Sequence, residues 1–210
     1  MVNKTILILP GWRGRLEYFD EVLMHLNYKT ILIELPGFQK KLQQPWSLDD
    51  YIKFLKDFVD FAGLKNFILL GHSFGGALAV IFALKYPEMV EKLIIYNGAI
   101  VRKKNLKTKI IAFIAFFVKP FLKLIPNNLK EKLRYIFYRY IVRSLDYYLV
   151  DEVMKETFKN IQQDLSKEFQ QLKVPTYLIW GTKDKITPWK EIQPLIKPEM
   201  KYYLIEGGHS

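Results

Sequence analysis

Cysteine is absent from this 210-residue chain. That excludes disulfides, thiolate metal sites and a cysteine nucleophile, and it fits a reducing compartment. Histidine occurs three times, at His25, His72 and His209, so chemistry needing an imidazole base must draw on one of these. Proline numbers ten and half the residues are apolar, a balance that argues against disorder. The longest apolar run, Ile110 to Val118, spans nine residues, too few to cross a bilayer. Met1-Val2-Asn3-Lys4 leads straight into an apolar strand, so no signal peptide is expected. The expected location is cytoplasmic.

Acidic residues are scarce in one stretch. Between Arg102 and Arg143 lie twelve of the 32 Lys/Arg but only one of the 21 acids, Glu131, so this segment carries the whole net charge of +11. A localised charge says more about partners than a global one.

What the chain does have is alternation. Thr5-Ile6-Leu7-Ile8-Leu9 and Lys29-Thr30-Ile31-Leu32-Ile33-Glu34 are strand-like runs, each closed by a Pro-Gly pair, Pro10-Gly11 and Pro36-Gly37. Leu16, Phe19, Leu23 and Leu26 have helical spacing. Ser47 reads as an N-cap followed by acidic residues, opening a helix that buries Tyr51, Leu55, Phe58 and Val59 and stops at Gly63. Further strands are expected at Asn66–Leu70, Val90–Tyr96, Val174–Gly181 and Lys201–Ile205, with a short helix over Trp189–Ile196. Strands alternating with helices predict right-handed crossovers and a mainly parallel, doubly wound α/β sheet, covered on both faces. From Ile100 to about Leu172 the pattern turns helical, basic and rich in Phe, Tyr and Ile, broken by Pro120 and Pro126. The expectation is one domain over residues 1–210 with a helical insertion at about 100–172.

The chemical focus is Gly71-His72-Ser73-Phe74-Gly75-Gly76. A strand, a Gly-x-Ser-x-Gly turn and a helix make a nucleophile elbow. The turn strains the serine backbone and needs small neighbours, here Gly71 and Gly75. The helix N-terminus behind Ser73 favours developing negative charge.

A serine hydroxyl needs a base, and the base needs an orienting acid. His25 reads as a helix-surface residue and His72 as a structural or pocket-wall residue. His209, in a Gly-Gly-His loop past the last strand, is the candidate base. Asp184, after the strand ending at Gly181, is the candidate acid. Glu34 more plausibly holds its own loop, and Asn97, after the strand ending at Tyr96, has no charge. The backbone N–H groups of Trp12 and Phe74 are the expected oxyanion donors, with the Trp12 indole lining an acyl pocket.

These motifs together resemble the α/β-hydrolase fold superfamily, in the branch with a helical lid between two late strands. Leu-Pro-Gly-Trp at 9–12, Leu-Pro-Gly-Phe at 35–38, Gly-His-Ser-Phe-Gly-Gly at 71–76, Trp-Gly-Thr-Lys-Asp at 180–184 and Gly-Gly-His-Ser at 207–210 carry the likeness. It implies esterase, lactonase, or thioester or acyl-carrier methyl-ester hydrolase chemistry, with Ser73, Asp184 and His209 in family order and no cofactor or metal. Two departures stand out. Pro10-Gly11 replaces the common His-Gly, and the sequence stops one residue after His209, where the family continues into another helix. That suggests a truncated form lacking the C-terminal helix, or a poorly held base.

The insertion would then be a lid. Its Phe-rich run bounded by lysines suits packing on the core with snorkelling lysines, an anionic membrane surface, or an acidic acyl-carrier protein. No nucleic-acid motif accompanies the charge. The leading expectation is a serine hydrolase acting on a carboxylic ester or thioester with an apolar acyl part. The alternatives are lyase, C–C hydrolase or acyltransferase chemistry on the same triad, and a non-catalytic lipid- or protein-binding module.

Overall fold

Each apolar run bounded by a turn signal becomes a parallel strand. In the computed structural model these are β1 (Thr5–Leu9), β2 (Lys29–Leu32), β3 (Phe67–His72), β4 (Val90–Tyr96), β5 (Thr176–Gly181) and β6 (Lys201–Ile205). The structure describes residues 4–14, 27–102 and 149–209, together with Pro126, Leu129, Lys132 and Tyr135. The expected helix over Leu16–Leu26, His25, the run Ile110–Val118 and nearly all of the basic segment lie outside the described residues.

The strands form one sheet in the order β2-β1-β3-β4-β5-β6, every pair parallel. From β1 the chain steps outward to β2, then returns past β1 to β3 and moves steadily the other way. The reversal leaves a crevice beyond the C-terminal ends of β1 and β3, where ligands bind in sheets of this kind. Leu9 pairs with Gly71 and His72 with Tyr96, so the ends of β1, β3 and β4 lie side by side there.

The helices follow from their patterns. Helix α1 (Leu48–Phe61) buries one stripe, Leu48, Tyr51, Ile52, Leu55 and Val59, and keeps Lys53–Asp57 and Lys56–Asp60 pairs on its outer face. Ser47 caps it: its hydroxyl accepts the Asp50 N–H at 3.3 Å, and the Asp50 carboxylate accepts the Ser47 N–H at 2.7 Å. Gly63, with φ of +62°, lies just beyond its end. Helix α2 (Phe74–Lys85) is apolar on every side, and all residues from Phe74 to Ala83 are buried, as a helix central to a domain must be. Within the insertion, α3 (Glu152–Asn160) and α4 (Ser166–Gln170) are described; α5 (Trp189–Ile192) precedes β6.

Side-chain alternation splits the core. Leu7 and Leu9 join the large cluster that includes α1 and α2, while Ile6, Ile8 and Ile68 form a smaller cluster on the opposite face. One expectation needs correction. β6 reads as a buried run, yet Tyr202, Tyr203, Leu204 and Ile205 are each 42–56% exposed. β6 is the sheet edge and pairs with β5 alone, and apolar composition by itself does not distinguish an edge from a centre.

Replacing Ser47 with alanine should lower stability by about 1 kcal/mol, seen as a shifted denaturant midpoint at constant slope. Because Ser47 and Asp50 satisfy each other, adding Asp50→Ala should cost less than it does alone. Strictly additive losses would show that the two groups do not act as one cap.

Candidate active site

β3 ends at His72 and α2 begins at Phe74, so Ser73 alone makes the turn. Its φ of +52° lies in the left-handed region, a conformation held only when surroundings fix it. They do so here. The Ser73 N–H donates to the Tyr96 carbonyl at 3.1 Å, and its own carbonyl accepts from Gly76, Ala77 and Ala99 at 3.0, 3.2 and 2.8 Å. Helix and strand also approach too closely for side chains. A Cβ on Gly71 would collide with the Gly75 carbonyl, and one on Gly75 with the carbonyl of Leu9.

The Ser73 Oγ stands 2.8 Å from His209 Nε2, and His209 Nδ1 stands 2.8 Å from Asp184 Oδ2. A carboxylate can only accept, so Nδ1 carries the proton and Nε2 is left to accept from the serine hydroxyl. The Asp184 carboxylate is wholly buried. It also accepts N–H bonds from Ile186 at 2.7 Å and Thr187 at 3.0 Å, and the Thr187 hydroxyl at 2.7 Å. Burial alone would push this carboxyl up; the bonds from His209 and Thr187 outweigh it and hold it below the usual carboxylate range. The three residues singled out in the sequence thus meet within hydrogen-bonding distance, 136 positions apart for Ser73 and His209.

His72 reaches the backbone of His209: its Nε2 donates to the His209 carbonyl at 2.8 Å, and its ring lies 5.0 Å from that of Tyr96. Burial pushes its imidazole below the ordinary histidine value. Gly181 accommodates the same loop closely, since a Cβ there would run into the Gly208 carbonyl.

The Pro10–Trp12 turn passes beside the elbow: a Cβ on Gly11 would stand 3.2 Å from that of Ser73. Among the described residues, neither the Trp12 nor the Phe74 amide donates to a backbone carbonyl. The Trp12 indole sits in an aromatic cluster, edge-on to Phe38 and Phe158 at 4.9 Å and to Phe74 at 5.8 Å. Among the described residues its Nε1 is buried without a hydrogen-bond partner. Phe38, Phe158 and Thr187 were not singled out in the sequence. Leu-Pro-Gly-Phe at 35–38 was the available signal for the first, and Asp184-Lys185-Ile186-Thr187, where an Asp side chain bonds the backbone two and three residues on, was that for the third; nothing local marks Phe158. Among the described residues no three His, Asp or Glu side chains converge to hold a metal ion.

A family described as "alpha/beta hydrolase fold" matches residues 4–121, more than half the sequence. The chain belongs to the alpha/beta hydrolase fold family. Its relatives include epoxide hydrolase 4 of Mus musculus, 33% identical over 91 residues, a match covering 41% of this chain and 24% of that protein. The chain thus spans about a quarter of the length of the curated epoxide hydrolases it matches. Pimeloyl-[acyl-carrier protein] methyl ester esterase of Wigglesworthia glossinidia brevipalpis is 28% identical over 215 residues, covering 92% of this chain and 79% of that one. Among solved structures, the alpha/beta hydrolase enzyme MGS-MChE2, from a lagoon-sediment metagenome, superposes with a TM-score of 0.62 at 27% identity, covering 99% and 82% of the two chains.

Two groups of this alpha/beta hydrolase chain tie its stability to pH with the same sign. His72 and Asp184 both have folded values below their unfolded ones, so the unfolded state binds more protons and stability falls on acidification. The His72 contribution is present above about pH 6.5 and is lost below it; that of Asp184 is present above about pH 4 and is lost as pH falls through its lowered folded value. Denaturation midpoints across pH should show His72→Gln flattening the first decline and Asp184→Asn the second. A variant whose profile parallels the unsubstituted protein would contradict the assignment for that residue.

Proposed function

We propose that the chain is a cofactor-independent serine hydrolase that cleaves a carboxylic ester or thioester with an apolar acyl part. The observation that carries this reading is the continuous contact from Ser73 Oγ through His209 to Asp184, 2.8 Å at each link. His209 Nε2 takes the hydroxyl proton as Oγ bonds to the acyl carbon, and Asp184 keeps the ring oriented and balances the imidazolium. The carbonyl electron pair moves onto oxygen, where the amides of Trp12 and Phe74 would receive it. Collapse expels the alcohol or thiol, which takes the proton from His209. Water activated by the same nitrogen then releases the acid and frees Ser73.

The aromatic cluster of Trp12, Phe38, Phe74 and Phe158 beside the elbow supports an apolar acyl group. For the partner, the name of the Wigglesworthia relative and the basic segment 102–143 support an acyl chain presented by an acidic carrier protein. Among the described residues no helix is long and apolar enough to cross a membrane.

Hydrolysis of p-nitrophenyl esters tests the reading. Turnover should rise from acetate to octanoate, fall about 10⁶-fold in Ser73→Ala and in His209→Ala, and fall about 10⁴-fold in Asp184→Asn, with folding retained. Turnover that survives Ser73→Ala would sink the proposal.

A further inference from the structure

Asn97 follows the last residue of β4 and is completely buried, with φ of +45°. Asparagine tolerates this left-handed backbone better than most residues, but glycine would serve if conformation were the sole requirement. Its side chain has other work. The two Nδ2 hydrogens donate to the carbonyls of Gly208 at 3.0 Å and His209 at 2.9 Å, and Oδ1 accepts the Gly181 N–H at 2.8 Å. These partners fix the amide orientation, because Nδ2 faces only acceptors and Oδ1 a donor. The backbone is also engaged: its N–H donates to Ile179 at 3.0 Å, and its carbonyl lies 3.1 Å from the Thr187 hydroxyl that also reaches Asp184. Asparagine alone supplies two donors, one acceptor and an affordable left-handed backbone at this point.

The His209 carbonyl therefore accepts from two strand ends at once, Asn97 after β4 and His72 at the end of β3. His72 is the chain neighbour of Ser73, so the bond it makes fixes the base relative to the nucleophile through a single peptide unit. Gly207 and Gly208 face open space among the described residues, since a Cβ on either would meet nothing within 4 Å. Among the described residues the backbone carbonyls of Gly207, Gly208 and His209 are held by hydrogen bonds: these three, and Lys183 N–H to the Gly207 carbonyl at 2.8 Å. A loop held this way moves when a bond is lost, and a displacement of about 1 Å at a reacting group can slow a reaction about 100-fold.

We propose that Asn97 and His72 are positioning residues that clamp the backbone of the base, setting the distances from His209 to Ser73 and Asp184. This deepens the hydrolase reading and rests on it for its kinetic consequence, though the clamp itself is a statement about geometry. Neither residue touches the substrate or moves a proton in the reaction.

The test compares the unsubstituted chain with Asn97→Asp, Asn97→Gly, His72→Ala and His72→Gln. Asn97→Asp keeps shape, left-handed tolerance and the acceptor for Gly181, but faces two carbonyls with an oxygen. Asn97→Gly removes the side chain without adding charge, and His72→Gln keeps an N–H donor. Three quantities are read: the second-order rate of Ser73 labelling by a fluorophosphonate, the melting temperature, and the downfield proton resonance of His209 Nδ1–H shared with Asp184. Both Asn97 variants and His72→Ala should label about 100-fold more slowly and lose or broaden that resonance while still melting cooperatively. His72→Gln should recover much of both. Folded variants with unchanged labelling and an intact resonance overturn the clamp. If the unsubstituted chain is not labelled, the hydrolase reading fails separately, and the resonance alone decides: retained in Asn97→Gly refutes the clamp, lost supports it. Should Asn97→Gly not fold, Asn97→Asp and His72→Ala give the same decision.

Discussion

The structure depends on how closely the end of β1 and the start of α2 pack across the crevice. Gly75 has no room for a side chain because the carbonyls of Leu9 and Pro10 occupy the space a Cβ would need. That contact brings the Pro10–Trp12 turn beside Ser73, where a Cβ on Gly11 would stand 3.2 Å from that of the serine. Were the gap wider, the serine would still be exposed, but the Pro10–Trp12 turn would no longer lie against it. The strand order β2-β1-β3 makes the approach available, since β1 and β3 are neighbours with their turns heading in opposite directions.

The same region holds most of the backbone strain. Among the described residues four non-glycines have positive φ: Arg13, Ser73 and Asn97 follow β1, β3 and β4, and Asn66 precedes β3. Each such residue is of order 1 kcal/mol or more above an ordinary conformation, and the cost is offset locally. The carbonyl of Ser73 takes three N–H donors, and every polar group of Asn97 is engaged. Strain placed at strand ends turns backbone groups and a hydroxyl toward the crevice, while α2 and the sheet hold the chain from behind.

Much of this was legible in the sequence, and for physical reasons. Parallel strands buried on both faces read as unbroken apolar runs, so β1, β3, β4 and β5 were placed from composition and turn signals. The elbow was legible because its glycines are required by sterics, not preference. Asp184 and His209 were singled out from strand-end positions and from the scarcity of histidine, and the structure brings them within hydrogen-bonding distance of each other. Asn97 was passed over because the search at that strand end was for a charge. Its signal, an Asn-Gly pair directly after an apolar strand, marks a left-handed turn but does not reveal which carbonyls lie opposite. Phe158 acts through contacts formed only when distant segments meet, and no local pattern encodes those; Thr187 bonds Asp184 three residues away, a local turn whose signal the Asp-Lys-Ile-Thr run carries. The exposure of both faces of β6 was hidden for the opposite reason: Lys201-Tyr202-Tyr203-Leu204-Ile205 looks the same at an edge as in a centre.

The central claim is that Ser73 forms a covalent acyl intermediate through His209. The most direct test is intact-protein and peptide mass spectrometry of the chain quenched in acid during turnover of a p-nitrophenyl ester. The account predicts one added acyl group on the peptide bearing Ser73, absent in Ser73→Ala. Turnover with no covalent adduct, or with the acyl group on another residue, would contradict it.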